Sequence, residues 1–257
     1  DMFDFWLMHT GNQGWTGGGA FTGLPGWLGG AHCGPLAQGE RTFIQTYKHL
    51  ICVGPAVKGT ASDDPKVVAA IRAETDVAKL EAHLASPSAQ YRFEAVQRVK
   101  TASEVVKKLA VQDPYEEIRA AAIQAMERAQ AGSGQALLKE QVVAFAQTKY
   151  KWMDKQMVMD SFALAQTCRK LGTLADAPLA EAIAAVTEIG ARFRLLVMTD
   201  GAGVCGPQIE KACLQLLTAA KTDTATLQAA TILARAGKAK DHANALAGVI
   251  EGQFVPW

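Results

Sequence analysis

The amino-acid sequence predicts an all-α fold preceded by an irregular arm rich in glycine and tryptophan. Apolar residues recur at helical spacing from about residue 40 onward, whereas no alternation typical of a β-strand persists for more than a few residues. Capping residues, several of them followed by proline, separate these segments and mark helix starts. A third observation, the absence of charge and the abundance of glycine before residue 40, sets the arm apart.

Residues 1–39 form the predicted arm. Residues 5–39 contain no Asp, Glu, Lys or Arg, and they hold 11 of the 23 glycines. Glycine at that density does not sustain a helix, since each one costs about 1 kcal/mol relative to alanine. The stretch is also too aromatic for a flexible linker. We therefore expect an extended segment that other protein surfaces cover.

Three interpretations of the arm remain open: a tail that lies on its own domain, a strap whose aromatic side chains fill pockets on another subunit, and a lipid-facing segment. We predict the strap, because aromatic anchors dominate the energetics of protein interfaces. The predicted partner-binding residues are the large aromatic residues of the arm, Phe5, Trp6, Trp15, Phe21 and Trp27.

The strongest helical pattern lies in Asp113–Ala129. Asp113 is a favourable N-cap, Pro114 suits the first helical position and Glu116 completes a capping box. An apolar stripe follows at helical spacing, formed by Ile118, Ala122, Ala125 and Ala129. The same order of residue types occurs 27 residues earlier, in Ser86, Pro87, Tyr91, Arg92, Ala95, Val96 and Val99. The sequence therefore contains a repeat whose two apolar stripes are expected to share a core.

This order of a cap, a proline, an apolar residue, an arginine and small residues resembles the HEAT-like repeat family, especially the short repeats of phycobilin lyases. The resemblance covers about residues 64–130. It implies a right-handed α-solenoid of antiparallel helix pairs, in which stacked repeats bury a continuous core. We expect HEAT-like repeats over residues 40–131 and further helical repeats continuing the solenoid over residues 135–257, with a break at Gly132-Ser133-Gly134.

The individual helices are assigned from caps and apolar spacing. We expect a first helix over Glu40–Val53, ended by Gly54-Pro55. The next helix starts are Asp64-Pro65, Thr75 or Asp76, Ser86-Pro87 and Ser103. After Asp113–Ala129, the expected helical segments are Gln135–Ala146, Trp152–Leu171, Ala177–Ile189, Pro207–Ala220, Thr224–Ala236 and Asp241–Ile250.

A long curved solenoid surface binds proteins far more often than it performs chemistry. We therefore predict a non-catalytic scaffold or accessory subunit of a larger protein assembly, which binds other subunits through the solenoid surface and the arm. In the phycobilin lyases that the repeats resemble, the solenoid holds a bilin and delivers it to a cysteine of a partner protein. The resemblance thus implies an alternative, a pigment carrier or chromophore-attachment protein, and it fixes no catalytic residue.

Charge argues against nucleic-acid binding, although a local basic patch is left open, and hydropathy argues against a transmembrane helix. Lys and Arg number 26 against 25 Asp and Glu, a net charge of +1, whereas a nucleic-acid-binding protein is expected to carry a strongly basic face. No apolar run of about 18 residues lacks glycine and proline breaks, so no transmembrane helix is expected. A membrane-associated partner is left open. Because the chain begins at Asp1, we expect a trimmed chain or a protein processed after targeting to an organelle or an exported compartment.

One motif is typical of nucleotide binding. Gly201–Gly206 spells G-x-G-x-x-G, and Phe193–Met198 before it has the composition of a strand. A dinucleotide site also needs a second strand that carries an acidic residue about 20 positions later. Asp223 has that distance, but the sequence between is helical and no second strand precedes it. We therefore expect a loop between two helices that binds no dinucleotide.

The remaining polar motifs favour structural roles. Cys33 and Cys205 each precede Gly-Pro, where a thiol at a helix start can have a lowered pKa, although buried cysteine is commoner and a disulfide between them is an alternative. The basic aromatic run Lys149-Tyr150-Lys151-Trp152 is interpreted as a helix start with inward aromatics, with a protein hot spot and nucleic-acid stacking as alternatives. The histidines, without ligand spacing, are His9, His32, His49, His83 and His242. No catalytic, cofactor-binding or metal-binding residue is assigned, and no cofactor is predicted.

Overall fold

The computed structural model describes residues 36–38, 41–45, 50–53, 64–150, 155–218 and 223–253. The chain divides into two compact units, Asp1–Ser62 and Asp63–Trp257. The first unit includes the predicted arm, whose partner-binding residues Phe5, Trp6, Trp15, Phe21 and Trp27 lie outside the described residues.

The described part of the first unit is a three-stranded antiparallel sheet. Its strands are β1 (Leu36–Gln38), β2 (Arg41–Gln45) and β3 (Leu50–Val53), in the order β1-β2-β3. Phe43 pairs with Leu36 on one side and with Cys52 on the other. The helix expected over Glu40–Val53 is therefore wrong, and β1 lies within the arm that was expected to be irregular. Both longer strands are rich in β-branched and aromatic residues, which favour a pleated strand over a helix.

The second unit is all-helical in its described residues, which confirms the predicted all-α class for this unit. A short 3-10 turn, Gly172–Ala175, joins the seventh and eighth helices. The helices are α1 (Pro65–Ala73), α2 (Val77–Leu84), α3 (Ala89–Arg98), α4 (Glu104–Gln112), α5 (Glu116–Ala129), α6 (Ser133–Gln147), α7 (Lys155–Leu171), α8 (Asp176–Ala185), α9 (Ile189–Ala202), α10 (Pro207–Thr218), α11 (Thr224–Arg235) and α12 (Ala243–Gln253).

Two of the predicted caps are confirmed by their hydrogen bonds. The Asp64 carboxylate accepts from the Lys66 amide at 2.8 Å, with Pro65 at the first helical position of α1. The Asp76 carboxylate accepts from the amide of Ala78 at 2.9 Å and caps α2. Each bond satisfies an amide that the first turn of a helix leaves unpaired.

The predicted cap of α5 is wrong. Asp113 lies at the end of α4, and α5 begins three residues later, at Glu116, without a side-chain cap. The Asp113 carboxylate instead pairs with the guanidinium of Arg92 on α3, at 2.7 Å, and accepts from the amide of Tyr115 at 3.0 Å. The Asp113 carboxylate makes these two bonds, and the expected capping box does not form.

The repeat of 27 residues is structural as well as sequential, since α3 begins at residue 89 and α5 at residue 116. At the fourth helical position, Arg92 donates to the carbonyl of Ser86 at 2.9 Å and Arg119 to the carbonyl of Asp113 at 2.6 Å. Arg192, at the fourth position of α9, donates to the carbonyl of residue 186 at 2.7 Å. In all three helices an arginine of the first turn is thus hydrogen-bonded to a carbonyl of the segment that precedes the helix.

The helices of the second unit contact one another in two rows. In the first row α1, α3, α5, α7, α9 and α11 contact one another in that order. In the second row α2 contacts α4, and α6, α8, α10 and α12 form a further sequence of contacts. The core runs through both rows and buries Ile118, Ala122, Ala125, Ala95 and Val99, with Tyr91 packed against it. The predicted shared core of the two repeat stripes is therefore confirmed, although Ala129 at the end of α5 is exposed.

The Gly132-Ser133-Gly134 run is a tight turn. Gly132 has φ +83°, which favours glycine, and α6 begins at the next residue. A Cβ at Gly134 would collide with the backbone carbonyl of Ile123, so glycine permits the close packing of α6 on α5. Each helical segment that was expected after Gly134 overlaps a described helix. The helix α9, in contrast, was not predicted from the sequence. None of the described helices is long and apolar enough to cross a bilayer.

Candidate functional site

Exposed apolar side chains are concentrated on three neighbouring helices, α7, α9 and α11. Of the eleven large apolar side chains exposed among the described residues, these three helices carry seven, which we call the apolar surface. Its residues are Val158, Met159, Phe162, Ile189, Phe193, Val197 and Leu227. Concentration of exposed apolar side chains on neighbouring helices is typical of interaction surfaces.

Contacts between the three helices place them level with one another. The guanidinium of Arg169, at the end of α7, donates to the carbonyl of Gly201 near the end of α9, at 2.6 Å. A Cβ at Gly201 would lie 3.7 Å from the Cβ of Ala165. Phe162 lies about one turn before Ala165, and Val197 lies about one turn before Gly201, so these exposed residues are on neighbouring turns of α7 and α9. The side chain of Gln228 on α11 donates to Asp200 at 3.1 Å, which brings the neighbouring Leu227 to the same level.

The exposed face of α9 lacks the charges that solvent-facing helices normally carry. Ile189, Phe193 and Val197 recur every four residues and are 52%, 36% and 42% exposed. The two flanking arginines point to backbone carbonyls instead: Arg192 donates to residue 186, and Arg194 donates to Ala146 on α6 at 2.6 Å. The charged groups that flank the apolar stripe of α9 are therefore already hydrogen-bonded within the second unit.

A second feature is a cleft of about 300 Å³ between α5, α6 and α7. Val111, Phe145 and Leu164 contribute apolar wall, while Arg119 and Gln141 bring polar groups to it. Gln141 Nε2 is buried and has no hydrogen-bond partner among the described residues. An unsatisfied buried donor of this kind costs about 1–3 kcal/mol. The cleft therefore holds a polar group that the described fold leaves without a partner.

Arg119 is 8% exposed, although its guanidinium has only neutral acceptors among the described residues. Nε donates to the Thr167 hydroxyl at 2.9 Å, Nη1 to the Asp113 carbonyl at 2.6 Å and Nη2 to the Ala163 carbonyl at 3.0 Å. Desolvation by burial lowers the pKa of Arg119 below its ordinary value. The cleft thus contains a buried cation held by backbone and hydroxyl oxygens.

Tyr150 closes one side of the same cleft. Its ring lies 5.9 Å from that of Phe145, between centroids, and its hydroxyl donates to the Asp160 carboxylate at 2.9 Å. Burial, and then the bond to Asp160, raises the pKa of Tyr150 to about 12. Tyr150 therefore packs inward, as predicted for the basic aromatic run. Lys149 is exposed, and Lys151 and Trp152 lie outside the described residues.

The G-x-G-x-x-G motif does not have the context of a dinucleotide site. Phe193–Met198, whose composition suggested a strand, lies in α9. At the start of α10, where a phosphate would bind, the Asp176 carboxylate accepts from the amides of Gln208 at 2.9 Å and Ile209 at 3.0 Å. A Cβ at Gly206 would collide with this carboxylate. Gly206, the last glycine of the motif, therefore leaves space for the Asp176 carboxylate, which caps the start of α10.

Three cysteines of the second unit are buried or half-buried thiols. Cys168, Cys205 and Cys213 are free, and Cys33 lies outside the described residues. Burial raises the pKa of Cys168 and that of Cys213 to about 12. Burial, followed by the charge of Glu210, also raises the pKa of Cys205, opposite to the lowering considered for a thiol before a helix. Among the described residues, no group of His, Cys, Asp and Glu could hold a metal ion.

No protein-family model matches the chain, and neither a curated protein nor a solved structure matches it. Function is therefore argued from the apolar surface. Sequence analysis singled out neither this surface nor the cleft. The four-residue spacing of Ile189, Phe193 and Val197 is visible in the sequence, but exposure depends on which neighbouring helices cover α9. Arg119 was recognised as a repeat position, whereas its proximity to Gln141 requires the packing of α5 on α6.

Proposed function

We propose that this protein is a non-catalytic scaffold or accessory subunit that binds another protein through the apolar surface. The observation that carries the proposal is the exposed, uncharged stripe of α9 together with the adjoining side chains of α7 and α11. Leaving these rings and branched side chains in water forfeits about 25 cal/mol for each Å² of apolar area. A protein partner that buries them recovers this free energy, with Phe162 and Phe193 as central anchors.

We further propose that the second unit is an α-solenoid of HEAT-like helix pairs. Two features support it. Helices in each row contact the next helix of the same row, apart from α4 and α6, which is the contact order that stacked pairs produce. The arginine at the fourth helical position recurs on α3, α5 and α9 with the same bond to a carbonyl six residues earlier. In this arrangement the apolar surface is the outer side of three consecutive helices in one row.

The arm is proposed as a second contact with the assembly. Phe5, Trp6, Trp15, Phe21 and Trp27 offer a large apolar area without charge to keep it solvated. Two separate contacts on one chain raise its effective affinity for a common partner. Deletion of residues 1–39 is expected to weaken retention in the assembly while the helices of the second unit keep their circular-dichroism spectrum.

The decisive experiment compares the native protein with a Phe162→Ser, Phe193→Ser double variant. The unmodified protein is expected to co-purify with a protein partner in fixed stoichiometry, and the double variant is expected to lose it. Val77→Ser is the matched control, since Val77 is 45% exposed on α2, outside the apolar surface. Retention of the partner by the double variant, or equal loss in the control, would contradict the proposal.

The same preparation separates this proposal from the alternative of a pigment carrier similar to phycobilin lyases. A colourless preparation with a stoichiometric protein partner agrees with a scaffold. A preparation that absorbs visible light, with the chromophore lost in a variant of the chain, would favour the carrier instead.

A further inference from the structure

The apolar surface of α7, α9 and α11 offers almost no charge to a partner. Among the residues of these helices whose exposure the structure describes, the exposed charged ones lie at the C-terminal ends: Arg169, Lys170 and Arg235. Lys170 pairs with Glu117 at 2.9 Å, and Arg235 pairs with Asp200. The half-exposed charged side chains are likewise hydrogen-bonded within the second unit: Asp160, Arg192, Arg194 and Asp200. The described part of this face therefore offers apolar contacts rather than charges to pair with.

This composition selects the chemistry of the partner. Non-obligate interfaces are about as polar as the rest of a protein surface, whereas interfaces between identical subunits are more apolar. An acidic or basic partner would leave its own charges unpaired against this face, which is costly. The matching partner surface is therefore itself apolar and uncharged. Among the described residues of this chain, the largest surface of that kind is the apolar surface itself.

The stripe on α9 has the spacing that packs on a copy of itself. Ile189, Phe193 and Val197 follow one another at intervals of four residues. Such a row forms the ridge used in the commonest class of helix crossing, in which both helices contribute a ridge of this kind. Phe193 is the midpoint of the row. An antiparallel crossing with a two-fold axis at Phe193 therefore places Phe193 against Phe193 of the second copy, and Ile189 against Val197 of the second copy.

The apolar surface is also large enough for a stable dimer. Interfaces of standard size bury about 800 Å² on each partner, of which roughly 500 Å² is apolar between identical subunits. The seven side chains of the apolar surface are each 36–52% exposed, and together they present an apolar area on the order of 500 Å². The net charge of +1 leaves little repulsion between two copies.

We propose that the apolar surface is the contact between two copies of this chain in a symmetric dimer, with α9 crossing α9 of the second copy at Phe193. The inference rests on the proposed function, because it names the protein that the apolar surface binds. The contact is isologous, so the same patch serves both subunits. The scaffold that joins a larger assembly is then the dimer rather than the single chain.

The test begins with the purified full-length protein. Sedimentation velocity and light scattering over a range of protein concentrations are expected to show a monomer–dimer equilibrium. Phe193→Glu and Phe193→Lys are each expected to weaken the dimer at least about a hundredfold, because like charges then face each other across the two-fold axis. An equal mixture of the two variants is expected to recover the dimer, since a carboxylate then faces an ammonium group.

Matched variants separate this contact from general effects of charge. Val77→Glu and Val77→Lys are the controls, as Val77 is 45% exposed on α2, outside the apolar surface. Circular dichroism checks that each variant keeps its helices. If a change at Phe193 unfolds the protein, Ile189→Glu and Val197→Lys replace the pair, since the two-fold axis places these two positions opposite each other.

The outcomes decide the proposal and keep it apart from the proposed function. A dimer that each charged variant weakens and their mixture restores supports it. A native protein that stays monomeric, a dimer unaffected by the charged variants, or a mixture that does not reassociate overturns it. If the native protein is monomeric but retains a different protein, which the Phe162→Ser, Phe193→Ser variant loses, the dimer is wrong and the proposed function holds. A monomer that retains no protein contradicts both.

Discussion

Two helices of the same row, α5 and α9, use apolar residues for opposite purposes. Each carries an arginine at its fourth position that bonds to a carbonyl six residues earlier. In α5 every apolar residue except Ala129 is buried, including Ala120 and Ala121, which lie outside the predicted stripe. In α9 one apolar stripe faces the core, while Ile189, Phe193 and Val197 are exposed.

The difference between α5 and α9 teaches that apolar composition alone does not locate a core. Small side chains let α3, α4, α6 and α7 all contact α5, so its apolar residues are explained within the second unit. The exposed stripe of α9 has no such explanation within the described residues. We propose that a partner covers it, and the following changes test the distinction.

The largest effect is expected from Ala122→Glu in α5. Ala122 is fully buried, so the variant must both overpack the core and bury a carboxylate. We expect the free energy of unfolding to fall by about 4 kcal/mol, the range typical of an uncompensated buried charge. Denaturant titration measures it, and a fall below about 1 kcal/mol would show that α5 is not covered on that side.

Arg92→Ala is expected to come next. The variant leaves the Asp113 carboxylate, whose side chain is 2% exposed, without its ion-pair partner. Breaking a buried pair in this way costs about 3–5 kcal/mol. The matched change on the other helix, Arg192→Ala, removes a bond to a carbonyl and is expected to cost about 1 kcal/mol. Equal unfolding free energies for the two variants would mean that the Arg92–Asp113 pair contributes nothing beyond the shared bond.

Phe193→Glu in α9 is the counterpart of Ala122→Glu and should scarcely change stability. Phe193 is 36% exposed, so the carboxylate can reach water, and such surface changes usually stay within about 0.5 kcal/mol. The same substitution should prevent partner binding, because it places a charge in the apolar surface. Unfolding free energy and partner retention are measured on the same preparation. A large loss of stability would instead place Phe193 in the core.

The smallest effect is expected at Glu210, whose ion pairs join α10 to the segment before α12. Glu210 on α10 pairs with His242 at 2.8 Å and Lys238 at 3.1 Å, and these bonds, that of His242 first, lower the pKa of Glu210. Because the pKa of Glu210 is lower in the folded state than in the unfolded chain, its ionised carboxylate stabilises the fold at pH values above the unfolded-state pKa, about 4.3. This contribution is lost as the pH falls through the folded-state pKa. The melting-temperature difference between the native protein and Glu210→Gln should therefore shrink below about pH 4.3. A constant difference between pH 6 and pH 3 would contradict this linkage.

The sequence predicted features that depend on neighbours along the chain. Asp64 and Asp76 cap helices because a carboxylate reaches the amides two or three residues ahead, whatever packs nearby. Asp113 has the same local pattern, but its carboxylate forms an ion pair with Arg92 of the preceding repeat and does not cap α5. The sheet over residues 36–53 was missed because its apolar residues fit helical spacing while β-branched residues favoured strands.

The candidate sites depend on contacts between helices that are distant in sequence, which local pattern does not encode. The cleft joins α5 to α7 through the bonds of Arg119 to Thr167 and Ala163, which lie 48 and 44 residues away along the chain. The apolar surface needs α7, α9 and α11 to lie side by side. The predicted aromatic anchors of the arm, Phe5, Trp6, Trp15, Phe21 and Trp27, lie outside the described residues and stay a prediction.

The most direct test of the partner-binding surface is photocrosslinking in the native cell. A benzophenone amino acid is placed at position 193, at the centre of the apolar surface, or at position 77, which is also exposed but lies on α2, outside that surface. We predict a single adduct of defined mass from position 193, competed away by unmodified protein, and none from position 77. No adduct from position 193, or the same adducts from both positions, would contradict the account that a partner covers this surface.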